Sequence, residues 1–359
     1  MINESRKIIV AMSGGIDSSV AALLLKNAGY DCIGITLKLY SNADNKIEGK
    51  TCCSYDDTLD AKRVAFRLGI PHYVLNFTAA FKELVIKNFI EKYTDGLTPN
   101  PCIECNKHIK FDKLLQRAKL LGYPYVATGH YARISFNEKT GRYNLFKAID
   151  ISKDQSYVLY NMTQEQLKYT VFPLGNMSKK EVRALALANG LHNSNKPDSQ
   201  DICFVPDNDY ASFIDNHTSI PSKHGDFVDA YGNKIGTHKG IYRYTIGQRR
   251  GLNASFGRRM YVCGKNNINN SIVLGNESDL YRKSFEITDI NLISKDSIES
   301  PEHLYVKIRY SHLEKAATVT QTDADTISIC YDEPQKFICP GQSAVIYDHD
   351  SVVGGGIIK

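Results

Sequence analysis

The stretch Ser13-Gly14-Gly15-Ile16-Asp17-Ser18-Ser19 follows the apolar run 8–12 and precedes a periodic apolar stretch at 20–25. This order predicts a β-strand, a glycine turn and an α-helix. Paired glycines let the backbone approach an anion closely, and the first turn of a helix presents unpaired N–H groups and the positive end of its dipole. The stretch therefore predicts a phosphate-binding loop. The alternative is a tight Gly-Gly connection capped by Ser or Asp.

The phosphate-binding loop is not a Walker loop, because it lacks the G-x-x-x-x-G-K-[ST] pattern and its lysine. Its S-G-G-x-D-S pattern resembles the pyrophosphate loop of ATP pyrophosphatases. Those enzymes cleave ATP to AMP and pyrophosphate and often form an adenylated intermediate. The resemblance implies that ATP is a substrate of this protein.

Strand-like and helix-like segments alternate after the loop. The predicted segments are, in order, the strand 32–40, the helix 57–68, the strand 72–76, the helices 79–93 and 107–121, and the strand 125–128. Such alternation indicates a parallel sheet covered on both faces, whose ligands bind at the carboxyl ends of the strands. The Ser13 loop lies at such an end.

The pattern changes in the second half of the chain. A hairpin turn is predicted at 137–141 and a helix start at the capping box Ser178-x-x-Glu181. Beyond about Phe213, glycines and short alternating runs replace long helices, and the runs after about Phe285 predict a small β-barrel or sandwich.

The expected fold is therefore α/β, with an N-terminal parallel-sheet ATP pyrophosphatase domain, a small central basic module and a C-terminal β-barrel. The expected boundaries are 1–213, 214–283 and 284–359.

Composition limits the classes of function. The chain has 359 residues, 42% of them apolar, 23% charged, and a formal net charge of +5. No run approaches the ~20 apolar residues of a membrane helix and the amino terminus lacks a signal sequence, so we expect a cytoplasmic protein without a membrane partner.

Basic residues are concentrated in one part of the chain. Residues 239–265 contain seven basic residues, no acid, and the aromatic residues Tyr242, Tyr244, Phe256 and Tyr261. This segment predicts phosphate contacts and base stacking with a nucleic acid. The alternative is a solvated basic face.

Three of the nine cysteines are candidates for chemistry. Cys102 and Cys105 form a C-x-x-C in the predicted loop 98–106, and Cys203 lies in the motif 199–204. Cys105, predicted at a helix amino terminus beside Lys107 and His108, would have its thiolate favoured. The C-x-x-C could bind zinc or act as a dithiol redox pair, or the cysteines could carry sulfur as persulfide and disulfide, and spacing alone leaves these alternatives open.

The other six cysteines have no such pattern. Cys52 and Cys53 are adjacent and could bridge each other only with strain. The remaining four lie in strand-like runs where core packing is expected, namely Cys32, Cys263, Cys330 and Cys339.

Ten motifs in order along nearly the whole chain resemble those of the tRNA-specific 2-thiouridylases. They are 13–19, Thr98-Pro99-Asn100-Pro101, Cys105-Asn106, Lys110-Phe111, 127–133, Lys153-Asp154-Gln155-Ser156-Tyr157, 199–204, 247–251, Pro340-Gly341-Gln342 and Gly354-Gly355-Gly356. The resemblance implies ATP-dependent sulfur transfer to C2 of the wobble uridine in tRNAs for Lys, Glu and Gln. It further implies recognition of the anticodon stem-loop and a sulfur-donor protein such as a cysteine desulfurase.

The resemblance also implies roles for individual residues. ATP would be bound, with Mg²⁺ neutralising the departing pyrophosphate, by Ala11, Met12, Ser13, Gly14, Gly15, Ile16, Asp17, Ser18, Leu37 and Gly129. Cys203 would carry the persulfide and Cys105 would end in a disulfide with it. Asn100, Pro101 and Cys102 would face the target base, flipped from its stack. The other tRNA contacts would be His130, Lys153, Asp154, Gln155, Arg309, Tyr310 and Gln342.

Cys102 departs from the family pattern, because many members have an aspartate there that is assigned general acid–base work. A cysteine could still shuttle a proton, with a higher intrinsic pKa than a carboxyl group. Alternatively, Cys102, Cys105 and Cys203 could supply three thiolates to an iron–sulfur cluster with one open iron. The sequence leaves both routes open.

Two rival functions predict different behaviour. Another adenylating ligase or amidotransferase with the same loop would need no cysteine pair. A non-catalytic tRNA-binding protein using residues 239–265 would show steeply salt-dependent binding without ATP cleavage.

Overall fold

The structure of the protein is a computed structural model that describes residues 6–40, 55–194, 196, 202–205, 209–218, 223–252 and 257–359. Several residues of the sequence motifs lie outside the described residues, namely Cys52, Cys53, Ser199, Gln200, Asp201 and Phe256.

The N-terminal unit contains a parallel sheet and a hairpin. Its strands are β1 (Lys7–Ala11), β2 (Asp31–Lys38), β3 (His72–Asn76), β4 (Tyr125–Ala127), β5 (Ala132–Asn137), β6 (Arg142–Lys147) and β7 (Thr170–Val171). The sheet has the order β3-β2-β1-β4-β7 with every pair parallel. β5 and β6 form the antiparallel hairpin that the turn at 137–141 predicts.

Helices cover both faces of this sheet. They are α1 (Ile16–Asn27), α2 (Tyr55–Leu68), α3 (Thr78–Phe81, Lys82–Lys87 and Asn88–Thr94), α4 (Pro101–Glu104, Cys105–Lys113 and Leu114–Leu120), α5 (Gln164–Lys168), α6 (Lys179–Ala188) and α7 (Tyr210–His217). The middle parts of α3 and α4 are π-helical. Because side chains alternate along β1, Ile8 and Val10 pack with α1, α2 and α6, whereas Ile9 packs with α3 and α4.

The start of α4 differs from the prediction. We expected a loop at 98–106, but the helix already begins at Pro101. The Asn100 side chain accepts a hydrogen bond from the N–H of Cys102 at 3.1 Å, and proline fits the first helical position because its missing N–H is not needed there. Cys102 therefore lies in the first turn, and Cys105 lies one turn further in rather than at the helix amino terminus.

The central module is a four-stranded sheet. Its strands are β8 (Gly225–Val228), β9 (Lys234–His238), β10 (Tyr261–Asn266) and β11 (Ser271–Gly275), in the order β10-β11-β8-β9. Phe227, Val262 and Ile272 are fully buried in its core. The module therefore has a small hydrophobic core of its own.

The C-terminal unit is a closed β-barrel. Its strands are β12 (Arg282–Leu292), β13 (Glu302–Lys307), β14 (Lys315–Asp323), β15 (Thr326–Gln335), β16 (Ser343–Asp348) and β17 (Ser351–Ile358). They follow the order β12-β15-β14-β13-β16-β17, and β12 also pairs with β17, so the six strands close. The expected fold class, with a barrel at the C-terminus, is confirmed.

The barrel is joined to the N-terminal unit through β17. Ser351 of β17 pairs with Phe146 of β6, so the hairpin extends the barrel sheet. Lys147 strengthens this junction, since its Nζ lies 2.5 Å from Glu314 Oε1 and donates to the carbonyl oxygen of His349 at 2.8 Å. Within the described ranges, no helix is both long and apolar enough to cross a membrane.

The three consecutive glycines of β17 lie where neighbouring backbone comes very close. A Cβ at Gly355 would be 2.5 Å from the carbonyl oxygen of Ala344 and 2.8 Å from the ring of Tyr160. One of these obstacles is backbone in the paired strand, which cannot rotate away. Only glycine fits this position without moving a strand.

Gly355→Ala is expected to destabilise the protein by about 1–3 kcal/mol, because overpacking forces strand and ring apart. Gly264→Ala in β10 is the matched control, since a Cβ there meets only ordinary contacts at 3.7 Å. Scanning calorimetry should show a lower melting temperature for Gly355→Ala alone. Equal melting temperatures of the two variants would contradict this packing.

Candidate active site

The phosphate-binding loop connects β1 to α1 at the carboxyl edge of the sheet. Gly14 has φ +78°, and a Cβ there would collide with the backbone of Asp57. Gly15 is the N-cap of α1 and, having no side chain, leaves the first-turn N–H groups without the side-chain cap that helices often have. A loop with no room for side chains and with uncapped N–H groups fits a phosphate chain.

Serine hydroxyls shape the loop from within. Ser18 and Ser19 each donate their hydroxyl to the carbonyl oxygen of Gly15, at 3.0 and 2.9 Å. The N–H of Ser13 donates to Ser18 Oγ at 3.2 Å. These bonds fix the turn before any ligand binds, so the loop is preorganised.

Gly129, after β4, approaches the same helix terminus. A Cβ at Gly129 would be 2.6 Å from the backbone nitrogen of Ser18 and 3.0 Å from Cβ of Asp17. The structure therefore brings Gly129 to the Ser13–Ser18 loop, although the two lie far apart in sequence.

Two lysines that the sequence analysis missed lie at the loop. Lys179 Nζ is 2.7 and 2.8 Å from the two carboxylate oxygens of Asp17, whose Oδ1 also accepts the hydroxyl of Tyr131 at 2.8 Å. Lys196 Nζ is 2.5 Å from Asp57 and contacts the carbonyl oxygen of Gly14 at 3.4 Å. The capping box at Ser178 predicts where α6 begins. It does not predict that Lys179, the first residue of α6, lies beside Asp17.

Charge pairing holds this network in its ionised form. Burial alone would raise the pKa of Asp60, but hydrogen bonds from Lys196 and His192 outweigh it and lower that pKa. Burial likewise opposes the charge of Lys196, and Asp57 and Asp60 reverse the effect and raise its pKa. The ammonium group of Lys196 therefore stays charged beside the loop.

The residues expected around adenosine lie on both faces of the sheet. The side chains of Ala11 and Leu37 pack with one apolar cluster, whereas Met12 belongs to the cluster on the other face. The backbone of Met12 is bonded to β2, because its N–H donates to Ile35 O and its carbonyl oxygen accepts from Thr36 Oγ1, both at 2.8 Å. Side chains of Ala11 and Leu37, but not of Met12, thus share a surface.

Cys105 and Cys203 reach the same apolar cluster. Cys105 is buried at the start of the π-helical part of α4, and Cys203 is half-buried against the same group of side chains. The hydroxyl of Tyr40 donates to the carbonyl oxygen of Cys203 at 3.2 Å, which attaches this segment to the end of β2. The fold therefore places two cysteines that are remote in sequence against one extended apolar cluster.

The charged residues next to Cys105 in sequence have other partners. Lys107 lies 3.7 Å from Asp289 of the barrel, and His108 lies 3.4 Å from Glu104. Cys105 is buried and Cys102 is exposed. This difference in burial distinguishes the two thiols more than the charged side chains beside Cys105 do.

Cys102 lies near the barrel residue Tyr310. Burial raises the pKa of Tyr310, and electrostatic interactions with Asp154 and, to a smaller extent, Cys102 add to this rise. The Tyr310 ring is 44% exposed and lies 6.1 Å from the ring of Tyr157. Cys102, in the exposed first turn of α4, and Tyr310 are thus close enough to interact electrostatically.

Several residues expected to contact tRNA are held inside the protein. His130 is buried between the rings of Phe111 and Phe172, with Nδ1 2.7 Å from Thr128 Oγ1. Asp154 is buried and accepts the N–H groups of Ala148 and Ser156 at 3.0 and 3.1 Å.

Gln155 and Gln342 also have backbone partners. Gln155 Oε1 accepts the N–H of Tyr131 at 3.0 Å, while Lys153 beside it is half-buried. Gln342 donates its amide to the carbonyl oxygen of Thr98 at 2.8 Å, and the N–H of Thr98 donates to Pro340 at 2.9 Å. Gln342 thus attaches the barrel to the loop that precedes Cys102.

The side chains that could bind a metal ion do not cluster within the described residues. Among the residues with described positions, no three His, Cys, Asp or Glu side chains form a group that could hold a metal ion. Cys102, Cys105 and Cys203 therefore do not form a three-thiolate site in this arrangement.

Comparisons with known proteins cover the whole chain. Family models match residues 6–207 (tRNA methyl transferase HUP domain), 211–276 (tRNA methyl transferase PRC-barrel domain) and 282–358 (Aminomethyltransferase beta-barrel domain). A relative from Clostridioides difficile, named tRNA-specific 2-thiouridylase MnmA, is 53% identical over 356 residues, covering 99% of this chain and 98% of the relative. The chain belongs to the tRNA-specific 2-thiouridylase family.

Other members of the 2-thiouridylase family match equally completely. The protein of that name from Acetivibrio thermocellus is 47% identical and covers 99% of both chains. The one from Clostridium perfringens is 47% identical and covers 99% of this chain and 98% of the relative. Methyl transfer appears only in the descriptions of domain models, so the 2-thiouridylase assignment rests on these full-length matches.

His130 generates a pH prediction. Burial, with a smaller contribution from Lys110, lowers the pKa of His130 well below its ordinary value, so the folded protein holds it neutral. The unfolded chain takes up a proton near pH 6.5, so this contribution to stability is present above about pH 6.5 and is lost as pH falls.

Between pH 7.5 and 5.5 the melting temperature of the unsubstituted protein should therefore fall more than that of His130→Gln, by the equivalent of about 1 kcal/mol. His349→Gln, at a histidine whose side chain is 85% exposed, is the control and should follow the unsubstituted protein. Parallel profiles for all three proteins would contradict a neutral, buried His130.

Proposed function

We propose that the protein transfers sulfur to C2 of the wobble uridine in tRNAs for Lys, Glu and Gln, using ATP to activate the uridine. The observation that supports this proposal is that Cys105 and Cys203 both pack with the apolar cluster on the sheet that carries the phosphate-binding loop. The names of the full-length relatives support the same reaction.

The activation step needs ATP because a uracil C2 oxygen is a poor leaving group. Attack of this oxygen on the α-phosphorus forms an O–P bond and releases pyrophosphate. Gly14, Gly15 and the first turn of α1 would bind the phosphates, and Lys179 and Lys196 would offset their charge.

Magnesium fits this site as a companion of ATP. Mg²⁺ commonly binds through one or two carboxylates and substrate phosphates, and Asp17 is the carboxylate of the loop. When bound, it would neutralise charge on the departing pyrophosphate. Asp17 would then exchange part of its contact with Lys179 for the metal.

The sulfur step uses both cysteines. The terminal sulfur of a Cys203 persulfide attacks C2 and forms the new C–S bond, and AMP leaves with the C2 oxygen. The Cys105 thiolate attacks Sγ of Cys203 and breaks the S–S bond, so the transferred sulfur gains an electron pair and the two cysteines are oxidised to a disulfide. An external thiol then reduces the disulfide, and a sulfur-donor protein such as a cysteine desulfurase reloads Cys203.

Cys102 is the candidate for proton transfer in this scheme. It is exposed in the first turn of α4 and close enough to Tyr310 to interact with it electrostatically, so a flipped base would approach it from solvent. Its thiol would take the place of the aspartate that many family members have. Iron and acid-labile sulfide in anaerobically purified protein would instead favour the cluster route, through which we derive no step.

The cysteine roles predict a pattern of activities. With ATP, Mg²⁺, a persulfide source and unmodified tRNA for Lys, Glu and Gln, mass spectrometry of the nucleosides should show 2-thiouridine. Cys203→Ser and Cys105→Ser should abolish it, and Cys102→Asp should retain more activity than Cys102→Ala.

Cys330→Ser is the matched control, because Cys330 is an exposed barrel cysteine remote from the loop. AMP formation without any thionucleoside in the unsubstituted protein would contradict the proposal and favour another adenylating enzyme.

Lys179 predicts a selective effect on ATP. Lys179→Met removes the ammonium that offsets Asp17, so an ATP analogue should bind about tenfold more weakly, which equals about 1.4 kcal/mol. Lys180→Met, at the exposed next residue, should bind as the unsubstituted protein does. Isothermal titration measures both, and equal affinities of the two variants would contradict the role of Lys179.

A further inference from the structure

A cavity of about 540 Å³ lies where α7, the central module and the barrel meet. Its size falls within the range of pockets that hold small organic molecules. The lining includes Asp209, Arg243, Gly247, Arg309 and Phe337. We call this the junction cavity.

The junction cavity is rich in cationic donors. Arg243 and Arg309 both line it, and the Nε of each is buried without a hydrogen-bond partner among the described residues. Arg243 pairs with Asp215, while Arg309 donates to Sγ of Cys339 at 2.7 Å and to the carbonyl oxygen of Ile246 at 3.3 Å. Each guanidinium therefore keeps unused hydrogen-bonding capacity.

The charge balance of the cavity favours an anionic ligand. Its one acidic lining residue, Asp209, already accepts the N–H and hydroxyl of Ser212, at 3.0 and 2.6 Å. The buried lining donors left without a partner among the described residues are Nε of Arg243 and Nε of Arg309. A phosphate would supply the acceptors that these donors lack.

One wall of the cavity is aromatic and strained. Phe337 has φ +65°, a left-handed conformation that is rare for a bulky residue, and its ring covers Gly247 so closely that a Cβ there would collide with it. The guanidinium carbon of Arg309 lies 5.2 Å from the centre of this ring. Such strain persists where the surroundings impose it and is concentrated at binding sites.

Two barrel segments lead from the cavity towards the start of α4. Arg309 reaches the cavity, while the next residue, Tyr310, lies near Cys102. The loop that starts at Phe337 continues to Gln342, which holds Thr98 just before α4. An RNA strand whose target base reaches Cys102 would therefore pass close to the junction cavity.

We propose that the junction cavity binds a second, unstacked nucleotide of the tRNA anticodon loop, with its phosphate at Arg243 and Arg309 and its base against Phe337. The inference rests on the proposed function, because it takes tRNA as the substrate. Sequence-specific RNA recognition uses splayed bases that stack on aromatic rings or guanidinium planes, and the cavity offers both. It thereby gives the enzyme a way to select among anticodon loops.

A mutant cycle between RNA and protein tests this proposal. Each anticodon-loop nucleotide other than the target is replaced by an abasic one in full-length tRNA, and dissociation constants are measured by filter binding at one salt concentration. The full-length proteins are the unsubstituted chain, Phe337→Asn and Arg309→Gln. Asparagine tolerates the left-handed backbone of position 337, so that variant should keep its fold.

One abasic substitution should weaken binding to the unsubstituted protein about tenfold, as expected for loss of one stacked base. Phe337→Asn should bind intact tRNA about tenfold more weakly and lose almost nothing further with that one abasic tRNA. Phe66→Asn and Arg117→Gln, on exposed parts of α2 and α4, should bind as the unsubstituted protein does. If Phe337→Asn unfolds at a lower temperature than the unsubstituted protein, Arg309→Gln supplies the same comparison between intact and abasic tRNA.

If the loss of affinity from the protein substitution and the loss from the abasic nucleotide add at every position of the anticodon loop, the inference is overturned. Direct binding of AMP or inorganic phosphate that is lost in Arg309→Gln, with unchanged tRNA affinity, would also overturn it and assign the cavity to a free anion. Thiolation of the intact tRNA by the unsubstituted protein is measured in parallel. If no thiolation is found, the proposed function is refuted. If thiolation is found but no abasic nucleotide is coupled to the cavity substitutions, this inference alone is refuted.

Discussion

Aromatic packing around Phe204 is the constraint on which the proposed chemistry depends. The Phe204 ring lies 5.6 Å from Phe81, 5.2 Å from Phe89 and 5.3 Å from Phe213, in edge-on or tilted arrangements. Each such pair contributes about 0.5–1.5 kcal/mol beyond the area it buries. Because Cys203 precedes Phe204, this packing holds the cysteine against the cluster that contains Cys105. Without it, Cys203 would lose its attachment to that cluster.

The barrel also takes part in the site, although it lies at the other end of the chain. Pro340 and Gln342 bind the backbone of Thr98, and a Cβ at Gly341 would be 2.8 Å from the nitrogen of Thr98. These contacts fix the loop that starts α4 and therefore the position of Cys102. Gln342 is thus a positioning residue in this structure, in addition to the tRNA contact that the family resemblance implies. Domain docking and active-site geometry are coupled through this loop.

The sequence predicts local features well, because their causes are local. The glycine turn after β1, the capping box at Ser178 and the hairpin at 137–141 each depend on residues within a few positions, and all three are present. The start of α4 was missed because the C-x-x-C and prolines suggested a loop, although Asn100 followed by Pro101 is also a helix-start pattern. The parallel sheet and the barrel follow from strand patterning and are confirmed.

The parts of the site that the sequence could not predict depend on contacts across the chain. Lys179 reaches Asp17, and Arg309 reaches Cys339, only because separate elements pack together. The burial of His130 and Asp154 is likewise a tertiary effect, since neither residue lies in an apolar run that would suggest it. Family resemblance supplied roles for several of these residues but not their surroundings.

The pairing of Cys105 with Cys203 is the central claim, and a single-turnover experiment tests it most directly. Protein carrying one persulfide per chain is mixed with ATP, Mg²⁺ and tRNA without reductant, and peptides and nucleosides are quantified by mass spectrometry. The proposed sulfur-transfer mechanism predicts one Cys105–Cys203 disulfide and one AMP for each 2-thiouridine formed. A full yield of 2-thiouridine with both cysteines reduced, or with a disulfide that involves Cys102 instead, would contradict it.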